Sequence, residues 1–188
     1  MPRVPYLEKE QTTPEVREVF EKMESRGARI LNLYKTLAHS PAAFGHFNRL
    51  GNALLQKAKL DPRLRELAIL RIAKLCGSEY EWAQHVPFAR DVGITQAQID
   101  AMGNWQKAAV YSDRERATLQ YVDEVTQSVK VQDATFVALK KHLDNASIVD
   151  LTLSIGFWGM VARILVPLQV EVEKDLPTSS KDLLGRAR

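Results

Sequence analysis

The chain has 188 residues, of which 45% are hydrophobic and 26% are charged. That size and composition are typical of one globular domain and exclude a disordered chain. The formal charge is only +3, and basic and acidic residues are interleaved along the sequence, so a nucleic-acid footprint on one face is not expected.

Helix-start signals recur from the N-terminus onward. Three pairs of a capping residue and a proline, at 13–14, 40–41 and 61–62, place the proline at the first helical position. Together with the spacing of the apolar residues, these and later capping signals predict helices near 14–26, 29–38, 41–58, 62–76, 79–92, 96–102, 113–129, 134–143 and 147–166.

No segment has the alternating pattern of a strand, and no linker divides the chain. We therefore expect a single all-α domain over 1–188, a multi-helical bundle of helical hairpins, with an extended arm at 1–12 and a polar tail at 176–188. The N-terminus lacks the apolar stretch of a signal peptide, and the lone cysteine, Cys76, fits a reducing compartment. These features predict a cytoplasmic protein.

The segment 60–95 predicts two helices joined by a tight turn. Gly77 follows the first helix, as C-terminal glycines do, and Ser78 begins the second. Ser78 and Glu81 have the spacing of a capping box, in which each side chain bonds the backbone N–H of the other. So short a joint makes the two helices antiparallel neighbours.

Glu66 and His85 are the candidate catalytic residues of this hairpin. Glu66 lies near the apolar stripe of the first helix, where a buried carboxylate needs a partner. In an antiparallel hairpin it can lie beside the later turns of the second helix, near His85. A Glu–His pair in a half-buried cleft can act as general acid and base near neutral pH. The alternative is a satisfied structural contact between two helices.

The residues around this pair give weaker indications of function. Tyr80 and Trp82 could line a pocket, although aromatic residues at a helix start more often belong to a core or an interface. Glu81 is interpreted first as the capping partner of Ser78. Cys76 comes from a helix C-terminus, which is a poor place for a thiolate and favours an inert buried thiol.

The helix predicted over 147–166 is apolar nearly all round, which is typical of a buried element. Arg163 interrupts its apolar run and Asp150 flanks it, so we interpret it as a core helix and not a membrane span. Gly156 and Gly159 allow another backbone to approach closely. Since a second copy of the chain is a natural cover for its far side, we expect an oligomer.

The phrase Glu-Tyr-Glu-Trp-Ala-Gln-His, from Glu79 to His85, with Glu66 19 residues before the histidine, resembles the carboxymuconolactone decarboxylase family. That family includes the alkyl hydroperoxidase D-like proteins. The resemblance is strongest over 60–95 and extends more loosely to 33–41 and to the N-terminus. It implies an alkyl hydroperoxidase D-like fold that assembles as trimers or hexamers, with the active site near subunit contacts.

The chain departs from the peroxidase branch of that family. The resemblance implies a redox Cys-x-x-Cys pair at the start of the second helix, at the positions of Ser78 and Glu81 here, and Cys76 has no resolving partner. Dithiol peroxidase activity is therefore not expected. A peroxidase-like antioxidant protein is the least favoured alternative.

The decarboxylase branch needs no cysteine and keeps the glutamate and the histidine. It implies a cofactor-free, lyase-type enzyme that acts on a small organic acid or lactone, with His85 as proton donor to a dienolate and Glu66 orienting it. An arginine is needed for a substrate carboxylate, and Arg71 and Arg90 are the candidates. The predicted partners are a small-molecule substrate and other copies of the chain, without nucleic acid or membrane.

Three alternatives stay open. A non-catalytic oligomeric or binding protein would keep the hairpin for structure only. A helix-turn-helix DNA binder would need a basic, polar second helix, which this sequence does not offer. Glu66, Glu81 and His85 are of the right ligand type for a metal site, but we expect neither a metal nor a cofactor.

Overall fold

The computed structural model describes residues 1–176 and Ser179. Within them the chain forms nine α-helices and two 3-10 helices and no strand, which confirms the all-α fold class. Each described helix lies where the sequence predicts one, while the 3-10 helices were not predicted. The predicted polar tail at 176–188 lies outside the described residues apart from Leu176 and Ser179. The elements are α1 (Pro14–Ser25), α2 (Asn32–Leu37), α3 (Pro41–Gln56), α4 (Pro62–Cys76), α5 (Glu79–Asp91), α6 (Gln96–Ala101), α7 (Asp113–Ser128), α8 (Asp133–Lys140) and α9 (Asn145–Leu168), with 3-10 helices at Lys9–Gln11 and Met102–Lys107.

The N-terminal arm is tied to the end of α9. The Arg3 backbone N–H donates to the carbonyl of Leu168, and its guanidinium donates to the carbonyl of Pro167, both at 2.9 Å. The Tyr6 hydroxyl accepts from the backbone N–H of Glu171 at 2.9 Å. These bonds explain how the residues before the 3-10 helix at Lys9–Gln11 are held in place without regular secondary structure.

α4 is the central helix of the fold. All of its residues from Leu64 to Ala73 are buried, because α5, α7 and α9 pack around it. Complete burial also removes the charged groups of Arg65, Glu66 and Arg71 from water, and buried charges require partners. The contacts of these three residues show which charges stabilise the fold and which belong to the candidate site.

Arg71 and Asp123 form a buried ion pair between α4 and α7. Their two bonds measure 2.5 Å for Nε to Oδ1 and 3.0 Å for Nη2 to Oδ2. The Trp105 indole N–H and the Gln106 amide also donate to Asp123 Oδ2, at 3.0 and 3.2 Å. The guanidinium of Arg71 is therefore engaged within the fold, and Arg71 is ruled out as the candidate that binds a substrate carboxylate.

α9 is long and apolar enough to cross a membrane by length and composition, with a mean hydropathy of 1.7 in its most apolar window. Half of that window is buried inside the protein. α9 packs against α4, α7, α3 and α5, which agrees with its interpretation as a core helix.

Candidate active site

Glu66 and His85 are in direct contact across the α4–α5 hairpin. Gly77 takes a left-handed conformation with φ of 63° and turns the chain so that α5 runs back along α4. The fully buried carboxylate of Glu66 then lies with Oε2 2.8 Å from Nδ1 of His85. The sequence expectation that the hairpin brings these two side chains together agrees with this geometry.

The second oxygen of Glu66 is also partnered. Its Oε1 accepts from Nε of Arg65 at 3.1 Å. The Arg65 guanidinium also donates to the carbonyls of Leu54 and Leu55, at 3.4 and 2.9 Å, near the end of α3. Glu66 is therefore held in one orientation with its charge compensated, as a group that positions a histidine must be.

Trp158 of α9 determines the tautomer of His85. The Trp158 indole N–H lies 3.0 Å from Nε2 of His85, and an indole nitrogen can only donate. Nε2 is therefore the acceptor, and Nδ1 carries the proton that it donates to Glu66. The ring is neutral in this arrangement and presents a lone pair, not a proton, at Nε2.

His85 lies on the wall of a cavity of about 100 Å³ between α2, α3, α5 and α9. α3 can approach α9 there because residue 51 is glycine: a Cβ at Gly51 would lie 2.9 Å from the Phe157 ring. The lining is mostly apolar and contains no lysine or arginine from the described residues. It comprises Leu31, Leu33, Tyr34, Phe47, Asn48, Gly51, Asn52, Leu55, Tyr80, Glu81, Gln84, His85, Phe88, Phe157, Trp158, Val161 and Leu165.

The predicted capping box of Ser78 and Glu81 is wrong. The backbone N–H of Ser78, which the box assigns to Glu81, donates instead to the carbonyl of Ala73 at 2.8 Å and completes the turn that ends α4. The Ser78 hydroxyl makes no cap bond either. The Schellman turn at Gly77 therefore competes with the box and leaves the Glu81 side chain free to turn inward.

Glu81 is a buried carboxyl group without a hydrogen-bond partner. Only 1% of the residue is exposed, and both side-chain oxygens lack a partner. Burial raises the pKa of Glu81 well above 4.5. The nearby Ser78 hydroxyl opposes this rise only in part, since it forms no hydrogen bond with the Glu81 side chain. Burial without a cationic partner favours the neutral, protonated form of a carboxyl group, and Glu81 lies on the wall of the same cavity as His85.

Of the remaining candidate residues of the hairpin, one lines the cavity and three do not. Tyr80 lines the cavity, and its hydroxyl donates to Glu173 at 2.6 Å. Trp82 is outside the cavity lining, with the Lys74 ammonium 4.0 Å from its ring centroid. Ser78 and Cys76 do not line the cavity, and burial raises the pKa of the Cys76 thiol, which keeps it protonated and unreactive.

Two further possibilities raised by the sequence find no support in the geometry. Arg90, the second arginine considered for a substrate carboxylate, lies on the surface and donates to Gln96 at 2.8 Å. Glu66, Glu81 and His85 do not form a metal cluster: no group of three or more potential ligands converges among the described residues. Trp158, which the sequence analysis missed as a site residue, is in contact with His85 instead.

The unpartnered carboxyl of Glu81 should cost stability. We expect Glu81→Leu to raise the free energy of unfolding by about 1–3 kcal/mol at pH 7, because it removes an unsatisfied buried polar group. Since burial raises the pKa of Glu81 above 4.5, the unfolded chain loses this proton first as the pH rises, so the advantage of the variant should shrink towards pH 4.5. Urea unfolding of both proteins at several pH values measures this; a destabilised Glu81→Leu would contradict it.

The all-α bundle that holds this Glu–His pair matches a known family of proteins. The model of the carboxymuconolactone decarboxylase family matches residues 41–124. A solved structure from Agrobacterium tumefaciens, of a protein of unknown function named as a candidate antioxidant defence protein AhpD, is 30% identical, with a TM-score of 0.69 over 74% of this chain and 96% of that one. The chain belongs to the carboxymuconolactone decarboxylase family, in a form without the Cys-x-x-Cys pair.

Two more distant structures share the alkyl hydroperoxidase D-like fold. An uncharacterized peroxidase-related protein from Ralstonia eutropha JMP134 is 24% identical, with a TM-score of 0.79 over 92% of this chain and 93% of that chain. The debrominase Bmp8, solved as a cysteine-to-alanine variant in complex with 2,3,4-tribromopyrrole, is 17% identical, with a TM-score of 0.75 over 91% of each chain. At these identities the two structures support the fold alone.

Proposed function

We propose that this protein is a cofactor-free, lyase-type enzyme that uses Glu66 and His85 as an acid/base pair on a small organic acid or lactone. The observation that carries the proposal is the 2.8 Å contact between Glu66 and Nδ1 of His85 beside an apolar cavity. A carboxylate in that position fixes the imidazole and stabilises the imidazolium once a proton arrives. No cysteine chemistry and no metal is needed for this role.

The tautomer of His85 determines whether the ring first accepts or first donates a proton. Nε2 has a lone pair, so the ring first accepts a proton, from the substrate or from solvent, and the Trp158 N–H gives way at Nε2. The imidazolium then returns that proton to carbon. In a decarboxylation the carbon–carbon bond breaks, carbon dioxide leaves, and the electron pair forms a dienolate that takes the proton from Nε2.

A peroxidase-like antioxidant function has less support. The names of the structural relatives suggest it, but the positions of a redox pair hold Ser78 and Glu81, and the single thiol of Cys76 is not activated. A non-catalytic binding protein remains the competing proposal, because Trp158 occupies Nε2 in this structure. Turnover separates the two.

The proposal is tested with two lactones in D₂O. Carboxymuconolactone, the compound in the family's name, and α-angelica lactone, an unsaturated lactone without a carboxylate, are followed by proton NMR with purified protein, within a wider panel of small lactones and organic acids. Turnover with deuterium on the carbon that gains the proton supports the proposal. Binding of panel members without turnover or exchange supports a binding protein instead.

We also propose that the chain self-associates through the outer face of α9. Val149, Leu153, Gly156 and Met160 follow helical spacing on that face, and the three apolar side chains are 40–57% exposed. The opposite face of the same helix lines the cavity with Trp158. A trimer or hexamer would cover this stripe, and the unpaired Cys76 fits a cytoplasmic location.

Leu153→Asp tests this face. We expect it to shift the assembled protein to monomers or smaller species, because an interface would bury the new carboxylate without a partner. Light scattering coupled to size-exclusion chromatography measures the mass. Val129→Asp, at a position 84% exposed, is the matched control and should leave the mass unchanged; a wild-type monomer, or an unaffected Leu153→Asp assembly, would overturn the proposal.

A further inference from the structure

Two polar side chains that line the cavity have oxygens without a hydrogen-bond partner. Glu81 and His85 lie one helical turn apart on α5 and line the same cavity, and neither oxygen of Glu81 has a partner. The Gln84 side-chain oxygen, on the same wall, is also unpartnered. Among the residues that the structure describes, the lining includes no lysine or arginine, so none of these residues brings a permanent positive charge to the interior.

A cavity of this composition favours uncharged molecules. An anion that enters an apolar site without a cation loses its hydration and gains no compensating partner. A carboxyl group in the same surroundings keeps its proton and therefore has an O–H to donate. A buried neutral carboxylic acid can act as a hydrogen-bond donor to a developing oxyanion, as it does in ketosteroid isomerase.

We infer that Glu81 binds the carbonyl oxygen of an uncharged substrate, a lactone, ester or ketone, by donating a hydrogen bond from its neutral carboxylic acid. This inference rests on the proposed function and narrows it: it keeps the acid/base pair, selects an uncharged substrate over the organic acid, and replaces decarboxylation by proton transfer at carbon. Arg71 and Arg90, the groups that an anionic substrate would require, are engaged elsewhere.

The two side chains then divide one reaction between them. Nε2 of His85 takes a proton from the carbon next to the carbonyl, and the electrons of the C–H bond form a carbon–carbon double bond. The π electrons of the carbonyl move to its oxygen, which accepts the hydrogen bond of Glu81 as an enolate. The imidazolium returns the proton to carbon, so the sequence needs no oxidant or reductant.

The test compares acetophenone with benzoate, which have nearly the same shape but differ in charge. Wild-type protein should bind acetophenone and reject benzoate in calorimetry. The infrared carbonyl band of ¹³C-labelled acetophenone should move to lower frequency on binding. Glu81→Leu should lose this shift and bind about tenfold more weakly, the value of one hydrogen bond. Glu81→Gln keeps an N–H donor and should retain most of the affinity.

Several results would overturn the inference: no binding of acetophenone by the wild-type protein, binding of benzoate as tight as that of acetophenone, or the same carbonyl band in wild type and Glu81→Leu. Thermal unfolding of each variant is the check that the variant is folded. His85→Gln separates the two proposals. A carbonyl shift that persists in this variant, with no turnover in any protein, leaves the role of Glu81 standing while the proposed function fails. If turnover is lost in His85→Gln but the carbonyl band does not shift in the wild-type protein, the proposed function stands and the inference about Glu81 fails.

Discussion

His85→Gln should lower turnover by about 10²- to 10⁴-fold, the usual contribution of a positioned acid/base group. Glutamine has an amide that can donate to Glu66 and an oxygen that can accept from Trp158, so the contacts of the ring have replacements. What is lost is a group that can take a proton and give it back. Steady-state kinetics on the lactone turned over in D₂O measures the change, and the melting temperature should stay close to that of wild type.

His142→Gln is the matched control for this prediction. His142 is exposed in the turn after α8 and does not line the cavity, and the same substitution there should leave turnover unchanged. Glu66→Gln should also lower turnover, because an amide cannot balance the charge of an imidazolium. If His85→Gln kept wild-type turnover, the acid/base role of the pair would be wrong even with the fold intact.

The helices were predictable from the sequence because their signals are local. A proline after a capping residue starts α1, α3 and α4, and Gly77 ends α4, each within a few residues of the element that it bounds. The contact between Glu66 and His85 followed from the same local information, since a short turn fixes two helices as antiparallel neighbours.

The parts of the site that escaped prediction depend on distant or competing contacts. Trp158 is 73 residues from His85 in sequence and belongs to a helix that is apolar on nearly every side, so nothing local marks it as a partner. Glu81 had the spacing of a cap, but the backbone N–H that it would have bonded is used by the carbonyl of Ala73. Sequence spacing shows which bonds a residue can make and not which competitor takes them.

Arg71 illustrates the same limit for charged residues. From the sequence it was a candidate for binding a substrate carboxylate, because the hairpin around it carries the candidate catalytic pair. Its carboxylate partner, Asp123, lies 52 residues away on α7. Whether a buried arginine serves the fold or a ligand is decided by that long-range partner, which no pattern within α4 reveals.

Asp123→Ala should destabilise the protein by about 3–5 kcal/mol, the cost of leaving a buried charge unpaired. The variant removes both bonds to Arg71 and leaves the Trp105 N–H without its acceptor. This loss is a large share of the roughly 5–15 kcal/mol that is typical of a domain. The urea midpoint measures it, and Asp133→Ala, at the exposed start of α8, is the control that should change stability little.

Replacing both partners separates the structural role from a catalytic one. Arg71→Met combined with Asp123→Leu leaves no unpaired charge in the core, so the double variant should be more stable than Asp123→Ala. Because neither residue lines the cavity, its turnover per folded molecule should equal that of wild type. A folded double variant that had lost turnover would show that Arg71 reaches the substrate after all. That result would reopen the assignment of an anionic substrate, since it would supply a positive charge that the described lining residues do not provide.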